Sequence, residues 1–181
     1  MTNLRHFLYL VLSLSILLAA TIVGPFFLKP HRLGEQARLV EVKRAIDGDT
    51  IELVGGQRVR YIGIDTPELD KRDCYSSEAA ERNKELVVGK FVRLEKDVSE
   101  TDKYGRLLRY VYAVDKKNKT EIFVNEQLIN EGFALTLTLP PDVAFAEKFV
   151  EEERQARKHK IGLWSICGLQ TVEEEVLEII R

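Results

Sequence analysis

The chain has 181 residues, of which 45% are hydrophobic and 31% are charged, so it is long enough for one globular domain with a buried core. Its formal net charge of −2 excludes a general polybasic binder of nucleic acids, because bulk attraction to a polyanion needs a clear excess of lysine and arginine. Binding of nucleic acid would therefore require a local basic groove or a metal ion that offsets acidic groups.

Residues 7–28 form an N-terminal stretch without a charged side chain. This stretch is long enough to cross a bilayer as a helix. A cleaved signal peptide is the alternative, but it usually has a shorter apolar run and a small-residue cleavage site, which Ala19 and Ala20 match poorly. We therefore expect a membrane anchor with the larger C-terminal part outside the cytoplasm, or a secreted protein if the segment is cleaved.

Alternating β-forming residues predict three consecutive strands over residues 38–46, 50–54 and 57–64. Gly55 and Gly56 separate the second strand from the third and predict a two-residue hairpin turn. Such a hairpin brings both of its open ends to the same side. Acids that precede the second strand and follow the third are therefore expected to lie close together.

The rest of the chain predicts helices and further strands. Helices are predicted at residues 76–88, 124–131 and 143–160, and strands at 90–97, 106–114 and, as a short piece, 121–123. Periodicity alone indicates a small α+β domain with mostly antiparallel strands. Five strands in hairpin order, with about three helices, fit an OB-type β-barrel.

We divide the chain into three parts. Residues 1–37 hold the predicted anchor (or signal peptide) and a polar linker, and residues 38–168 hold the OB-fold domain. Residues 169–181 form an acidic tail with apolar side chains at helical spacing. Nothing in the sequence indicates a protein partner.

Acidic residues frame the predicted hairpin. Asp47 and Asp49 flank Gly48 before the second strand, and Asp65 and Glu68 follow the third. Carboxylates that converge in this way repel one another unless a cation lies between them, and all-oxygen ligands suit Ca²⁺ or Mg²⁺. The alternative for the first pair is an ordinary turn, since Asp and Gly favour turns in all proteins.

The histidines and cysteines limit the kinds of active site and of covalent cross-link that the chain can form. The three histidines are His6, His31 and His159, and none is near the acidic cluster in the sequence, which disfavours a zinc site or a Ser-His-Asp hydrolase. The two cysteines are Cys74 and Cys167. They predict one disulfide if the domain is exported, and two free thiols if it is cytosolic.

Three motifs occur in order: IDGDT at residues 46–50, R-x-x-x-x-DTPE at 60–68 and TDKYGR at 101–106. Together they resemble the staphylococcal nuclease (thermonuclease) family over residues 39–164. The resemblance implies an OB-fold barrel that hydrolyses DNA and RNA with Ca²⁺. It also implies in-line attack of water at phosphorus, release of the 5′-oxygen and 3′-phosphate products.

The resemblance also assigns roles to residues of the acidic cluster. Asp49 and Asp65 are expected to bind the metal ion together with the backbone carbonyl of Thr66. Asp47 is expected to lie close to these ligands and to support them. Water would complete the coordination of the ion.

The substrate-facing roles follow in the same way. Arg60 and Arg106 are expected to hold the phosphate, because a planar guanidinium binds two phosphoryl oxygens and stabilises the charge of the transition state. Glu68 is expected to act as the general base on water. Lys103 and Tyr104 match positions that contact the nucleotide.

Two features do not fit the family pattern directly. Arg60 and Asp65 are separated by an odd number of positions, which places them on opposite faces of a regular strand, so we expect a bulge near Gly63. Residues 134–139 contain no aromatic side chain, where the family places tyrosines that help to bind substrate. Stacking on bases is therefore expected to be weaker here.

Two alternatives to an enzyme stay open from the sequence. One is a non-catalytic OB-fold module, tethered to the membrane, that binds nucleic acid or another partner. The other is a tethered interaction protein that uses its acidic tail. The presence of all the expected acids and arginines favours the nuclease.

Overall fold

The computed structural model describes residues 39–167. Within that range there are eight strands: β1 (Val40–Ala45), β2 (Thr50–Leu53), β3 (Arg58–Tyr61), β4 (Ile64–Asp65), β5 (Phe91–Glu95), β6 (Leu107–Asp115), β7 (Thr120–Phe123) and β8 (Leu135–Thr136). The helices of the same range are α1 (Ser76–Val87), α2 (Val124–Asn130), α3 (Ala146–Lys158) and the short α4 (Leu163–Ile166).

Five strands close into a barrel. The main sheet has the order β3-β2-β1-β5-β6-β7, and an additional parallel pairing of β3 with β6 joins its two sides. β1, β2, β3, β6 and β5 therefore form a closed ring, and β7 extends it as a sixth strand beside β6. The predicted five-stranded OB-type barrel with about three helices is confirmed for the described residues.

The hairpin between β2 and β3 is longer than the sequence predicts. Glu52 pairs with Arg58, and the amide of Leu53 donates to the carbonyl of Gln57 at 2.9 Å, so the two-residue turn is wrong. Gly55 and Gly56 lie within this loop with φ angles of 115° and 88°. These left-handed angles explain why glycine occurs at both positions.

The predicted third strand is interrupted. It ends at Tyr61, and the chain turns at Ile62 and Gly63 before β4 begins. Gly63 has a φ of 80°, and a Cβ atom there would lie 2.7 Å from the ring of Phe149. β4 leaves the barrel and pairs with β8, a short strand that the sequence analysis did not predict.

The core fills the barrel and the space under its helices. α1, α2 and α3 follow the predicted segments, although α3 begins three residues later than expected. The fully buried large side chains of the main cluster come from both sheet and helices: Tyr61, Tyr110, Phe149, Ile51, Ile64, Leu128, Ile129, Val42, Val59, Val87 and Val92. Burial of this apolar surface is the main force that holds the barrel closed.

A second, smaller cluster covers the C-terminal side of the domain. Leu163 and Trp164 of α4 pack with Leu135 and Ala156, and Cys167 belongs to the same cluster. Cys74 and Cys167 form a disulfide, with Cα atoms 5.9 Å apart. The bond ties the loop before α1 to the end of the domain.

Two predicted parts of the chain lie outside the described residues. These are the N-terminal segment with its anchor at residues 7–28, and the acidic tail at 169–181. Within residues 39–167, no helix is both long and apolar enough to cross a membrane.

The disulfide gives a prediction for stability. The double substitution Cys74→Ala and Cys167→Ala should lower the free energy of unfolding by about 2–5 kcal/mol, because the bond spans 93 positions and restricts the unfolded chain. Urea unfolding of both proteins, with and without a reducing agent, measures the difference. Reduction should weaken the wild type to the level of the variant and leave the variant unchanged; equal stability of oxidised wild type and variant contradicts the prediction.

Candidate active site

The loop between β1 and β2 presents the first acids. Asp47 accepts a hydrogen bond through Oδ1 from the amide of Asp49 at 3.0 Å, which closes a tight turn around Gly48. A Cβ atom on Gly48 would lie 2.5 Å from Oγ1 of Thr66 and 2.7 Å from its methyl group. Only glycine allows the segment that follows β4 to approach this turn so closely.

Asp49 lies at the centre of the site and is 5% exposed. Its Oδ2 atom accepts hydrogen bonds from the amide of Thr66 at 3.0 Å and from the hydroxyl of Thr66 at 3.1 Å. Its Oδ1 atom accepts one from the hydroxyl of Thr50 at 3.1 Å. These bonds fix the carboxylate, and they give Thr66 a donor role that the sequence analysis did not predict.

Arg60 joins the two aspartates predicted to bind metal. Its Nη1 atom lies 2.7 Å from Oδ2 of Asp49, and Nη2 contacts Oδ1 of Asp65. Nη1 also donates to the carbonyl of Ile64 at 2.9 Å. The aspartates that precede β2 and follow β3 therefore come together at the open end of the hairpin, as the sequence analysis expected. A turn at Ile62 and Gly63 occurs where a bulge was expected.

The barrel topology explains why Arg60 reaches this point. β3 lies between β2 and β6, so Arg60 has Thr50 as its partner on one side and Leu108 on the other. Asp49 directly precedes Thr50, and Arg106 lies two residues before Leu108. Strand pairing thus places the acidic turn and both arginines at one end of the barrel.

The carboxylates at this end of the barrel outnumber the positively charged groups that contact them. Burial and the neighbouring Asp49 raise the pKa of Asp47 to about 6. Burial raises the pKa of Asp49 and of Asp65 as well, although Arg60 opposes the shift at both. Burial and Asp47 raise the pKa of the exposed Glu68. One guanidinium therefore does not balance the four carboxylates.

This charge deficit bears on metal binding. Asp49 and Asp65 offer hard oxygen ligands held by one side chain, and their raised pKa values indicate that an added cation would stabilise the ionised forms. Over residues 39–167 no group of three or more His, Cys, Asp and Glu side chains is arranged to hold a metal ion. The two aspartates therefore fit a hard cation only with other oxygen ligands, such as a backbone carbonyl and water.

Glu68 lies at the edge of the site on a loop that closes on itself. Its amide donates to Oδ2 of Asp73 at 3.0 Å, and the amide of Asp73 donates back to the carbonyl of Glu68 at 3.2 Å. Cys74 follows directly and is held by the disulfide to Cys167. The loop that carries the predicted base is thus anchored at both of its ends.

Arg106 is held by Asp102, a residue that the sequence analysis did not single out. The amide and Nε of Arg106 donate to the carboxylate of Asp102 at 2.9 and 2.6 Å. Nη1 of Arg106 donates to the hydroxyl of Thr50 at 3.4 Å, and Thr50 in turn donates to Asp49. Asp102 therefore positions Arg106 toward the acidic turn.

Lys103 and Tyr104 lie on the same loop and face solvent. Tyr104 is 72% exposed, and its amide also donates to Asp102. Nζ of Lys103 lies 5.1 Å from the centroid of the tyrosine ring, and Cζ of Arg106 lies 5.6 Å from it. The ring is free to stack on a ligand beside the two cations.

A cavity of about 250 Å³ adjoins the two arginines. The charged residues of its lining are Arg60, Arg106, Asp102 and Asp142. Much of the remaining wall is aliphatic: Ile62, Ile64, Leu108, Leu137 and Leu139. Leu137 and Leu139 come from the stretch without aromatic residues. The cavity thus offers cationic groups next to an aliphatic surface.

A buried network supports the acidic turn from below, and sequence reasoning missed it. Asn83 of α1 is 0% exposed; its Nδ2 atom donates to the carbonyl of Asp47 at 2.8 Å, and the hydroxyl of Tyr61 donates to its Oδ1 atom at 2.8 Å. The only available signal was an asparagine at a position where the predicted helix 76–88 faces the barrel.

Comparison with known proteins finds one matching family model. The family model described as "Staphylococcal nuclease homologue" matches residues 58–166. "Endonuclease YncB" of Bacillus subtilis (strain 168) is 42% identical over 153 residues, which cover 78% of this chain and 69% of the relative.

Two further relatives show the same similarity. "SPbeta prophage-derived endonuclease YokF" of Bacillus subtilis (strain 168) is 40% identical over 73% of this chain and 46% of its own length. "Thermonuclease" of Staphylococcus hyicus is 38% identical over 69% of this chain and 75% of its own length.

The buried network gives a prediction. Asn83→Ala should lower the free energy of unfolding by about 1–3 kcal/mol, because the carbonyl of Asp47 and the hydroxyl of Tyr61 each lose a buried partner. Tyr61→Phe serves as the matched control for the second bond. In urea unfolding, the loss from Tyr61→Phe should be smaller in the Asn83→Ala background than in the wild type; strictly additive losses contradict a coupled network.

The raised pKa values give a second prediction. A carboxyl group whose pKa is higher in the folded chain favours folding while it is protonated, and this contribution is lost as the pH rises from about 4 through about 6 for Asp47. Asp47→Asn keeps an oxygen that accepts the turn hydrogen bond but removes the charge. In urea unfolding with EDTA, the variant should therefore gain stability relative to the wild type as the pH rises across this window. A difference that is constant with pH would mean that folding leaves the pKa of Asp47 unchanged, and one that shrinks would mean that folding lowers it; either result contradicts the prediction.

Proposed function

Because the chain belongs to the staphylococcal nuclease family, we propose that it is a calcium-dependent nuclease that hydrolyses phosphodiester bonds of DNA and RNA. The single observation that supports this most directly is the contact of Arg60 with both Asp49 and Asp65. It combines a pair of oxygen ligands for a cation with a guanidinium that suits phosphate.

Asp49 and Asp65 would hold the calcium ion, with the carbonyl of Thr66 and water as further oxygen ligands. When bound, the ion supplies positive charge that lowers the pKa of a water ligand and offsets the charge of the phosphate. The hydroxyl and amide of Thr66 and the hydroxyl of Thr50 keep the Asp49 carboxylate in one orientation.

Arg60 and Arg106 would bind the phosphate from two sides. Arg106 uses Nε on Asp102 and one Nη1 proton on Thr50, so Nη2 and the second Nη1 proton can donate to phosphoryl oxygens. In the transition state the phosphorus carries five oxygens, and these donors stabilise the added negative charge. Hydrogen bonds with the protein already hold both guanidinium groups in place. The arginine side chains therefore need to move little during the reaction.

Glu68 would accept the proton of the attacking water. The oxygen of that water forms a bond to phosphorus while the bond from phosphorus to the 5′-oxygen breaks, and the departing 5′-oxygen takes a proton from solvent. The products are a 3′-phosphate and a 5′-hydroxyl. The raised pKa of Glu68 makes it a stronger base than an ordinary exposed glutamate.

The cavity beside the arginines would take the nucleotide base. Its aliphatic wall, with Leu137 and Leu139, gives apolar contact without an aromatic surface for stacking. The exposed ring of Tyr104 supplies the nearest stacking surface. Contacts of this kind do not read base identity, which fits cleavage with little sequence preference.

We further propose that the domain acts outside the cytoplasm and that residues 7–28 anchor it to the membrane. The disulfide between Cys74 and Cys167 supports export, because such bonds persist in oxidising compartments and are rare in the cytosol. If the N-terminal segment is cleaved, the same domain would be secreted.

Cleavage of single-stranded DNA by the full-length chain in a mild detergent tests the proposal. Activity should appear with CaCl2 and vanish with excess EDTA. Arg60→Lys should lower kcat/KM by about 100-fold or more, because an ammonium group cannot make the paired contacts of a guanidinium. Arg58→Lys, an exposed neighbour on β3, is the matched control and should stay within about twofold of the wild type.

Circular dichroism and urea unfolding establish that each protein is folded before rates are compared. A folded wild type that fails to cleave in the presence of calcium rules out the enzyme and favours a non-catalytic OB-fold module. Equal rates for Arg60→Lys and Arg58→Lys would remove Arg60 from the mechanism.

A further inference from the structure

A second cavity lies at the end of β6 away from Arg106. It has a volume of about 430 Å³ and lies where β5 begins and where β6 ends and turns into β7. Lys90, Lys116 and Lys117 line it, and Phe91, Val114 and Ile122 form much of its apolar surface. A volume of this size matches the lower range of known small-molecule sites.

Within residues 39–167, no lysine of this cavity forms an ion pair with a carboxylate, although Lys90 lies close enough to Asp115 to help lower the pKa of that acid. Nζ of Lys90 donates to the carbonyls of Glu85 and Leu86, at 2.7 and 2.9 Å. Nζ of Lys116 lies 3.2 Å from the centroid of the Phe91 ring. Lys117 is exposed and forms no ion pair with an acid of the described range.

Asp115 is the acid in the lining of this cavity, and its carboxylate accepts hydrogen bonds from neutral groups of the turn. Oδ1 accepts from the amides of Lys117 and Asn118 at 2.8 and 3.1 Å, and Oδ2 accepts from the side chain of Asn118 at 2.7 Å. The acid serves to shape the turn. With three lysines and one aspartate in its lining, the cavity keeps an excess of positive charge.

Three arginines on or beside the same sheet behave differently. Arg93 is paired with Glu121, Arg106 with Asp102, and Arg109 with Glu100. These three arginines are thus neutralised by acids, whereas the lysines at the turn between β6 and β7 are not in ion pairs. In a chain with a net charge of −2, such a local excess is what attraction to a polyanion requires.

We propose that this cavity is a second site for the nucleic-acid strand, which holds a nucleotide remote from the one that is cleaved. The inference rests on the proposed function, because it concerns the same polyanionic substrate. The lysines would contact phosphates, and the apolar surface of Val114 and Ile122 would contact a base or sugar. A concave cavity with an apolar wall suits one nucleotide better than it suits a flat layer of lipid headgroups.

The spacing of the two sites sets the length of substrate that can use both. β6 runs from Leu107 near the active site to Asp115 at the second cavity, and its length at about 3.3 Å per residue is roughly 25 Å. A trinucleotide is too short to reach from one site to the other, whereas a strand of about 20 nucleotides is long enough. The second site should therefore affect long substrates only.

The test compares Lys116→Gln/Lys117→Gln with Lys158→Gln/Lys160→Gln in the full-length protein. Both variants remove two exposed lysines, but the second pair lies at the end of α3, outside the cavity. The first variant should raise KM for a 20-nucleotide single-stranded DNA about fivefold, and it should reduce the salt dependence of binding by roughly 0.7 per lost phosphate contact. Its kcat/KM on a trinucleotide should match the wild type.

The possible results separate the explanations. An equal effect of both variants on the 20-mer overturns the site, because general charge alone would then explain it. Weaker binding to vesicles with anionic lipid, without any change on DNA, overturns it in favour of a membrane surface. If the wild type cleaves neither substrate, the proposed function fails, while fluorescence anisotropy with the 20-mer still decides the second site.

Discussion

The site at this end of the barrel depends on one partly buried arginine, Arg60, that contacts a buried carboxylate, Asp49, and a partly buried one, Asp65. Arg60 can reach Asp49 and Asp65 only because β3 is inserted between β2 and β6, and because the chain turns sharply at Gly63 after that strand. Gly48 allows the segment with Thr66 to close over the same point. Topology and two glycines thus create an arrangement that no single segment could form alone.

This arrangement is costly for folding and suited to catalysis. Burial raises the pKa of Asp47, Asp49 and Asp65, which means that the folded domain holds these groups ionised only against a penalty. Apolar packing in the barrel and the network through Asn83 compensate for that penalty. Carboxylates with raised pKa values are common at functional sites, where a bound cation can stabilise their ionised forms.

The sequence predicted the barrel, the helices and the gathering of acids and arginines, because strand alternation and the three motifs are local signals. It did not predict the break after Tyr61 or the pairing of β4 with β8, since both depend on contacts between distant parts of the chain. Asp102 and Asn83 were missed for the same reason: each looks like an ordinary polar residue until the fold places it beneath Arg106 or the acidic turn. Whether the two cysteines pair was open from the sequence, and the fold brings them together across 93 positions.

Titration calorimetry of calcium into the full-length chain tests the central claim most directly, namely that Asp49 and Asp65 form a site in need of a cation. The wild type should bind one calcium ion, and Asp49→Asn should weaken that binding by about tenfold or more, because one of the two carboxylates expected to bind the ion loses its charge. Glu100→Gln, which removes an exposed carboxylate elsewhere on the barrel, should bind as the wild type does. Absence of binding to the folded wild type, or equal affinity in Asp49→Asn, would contradict the account.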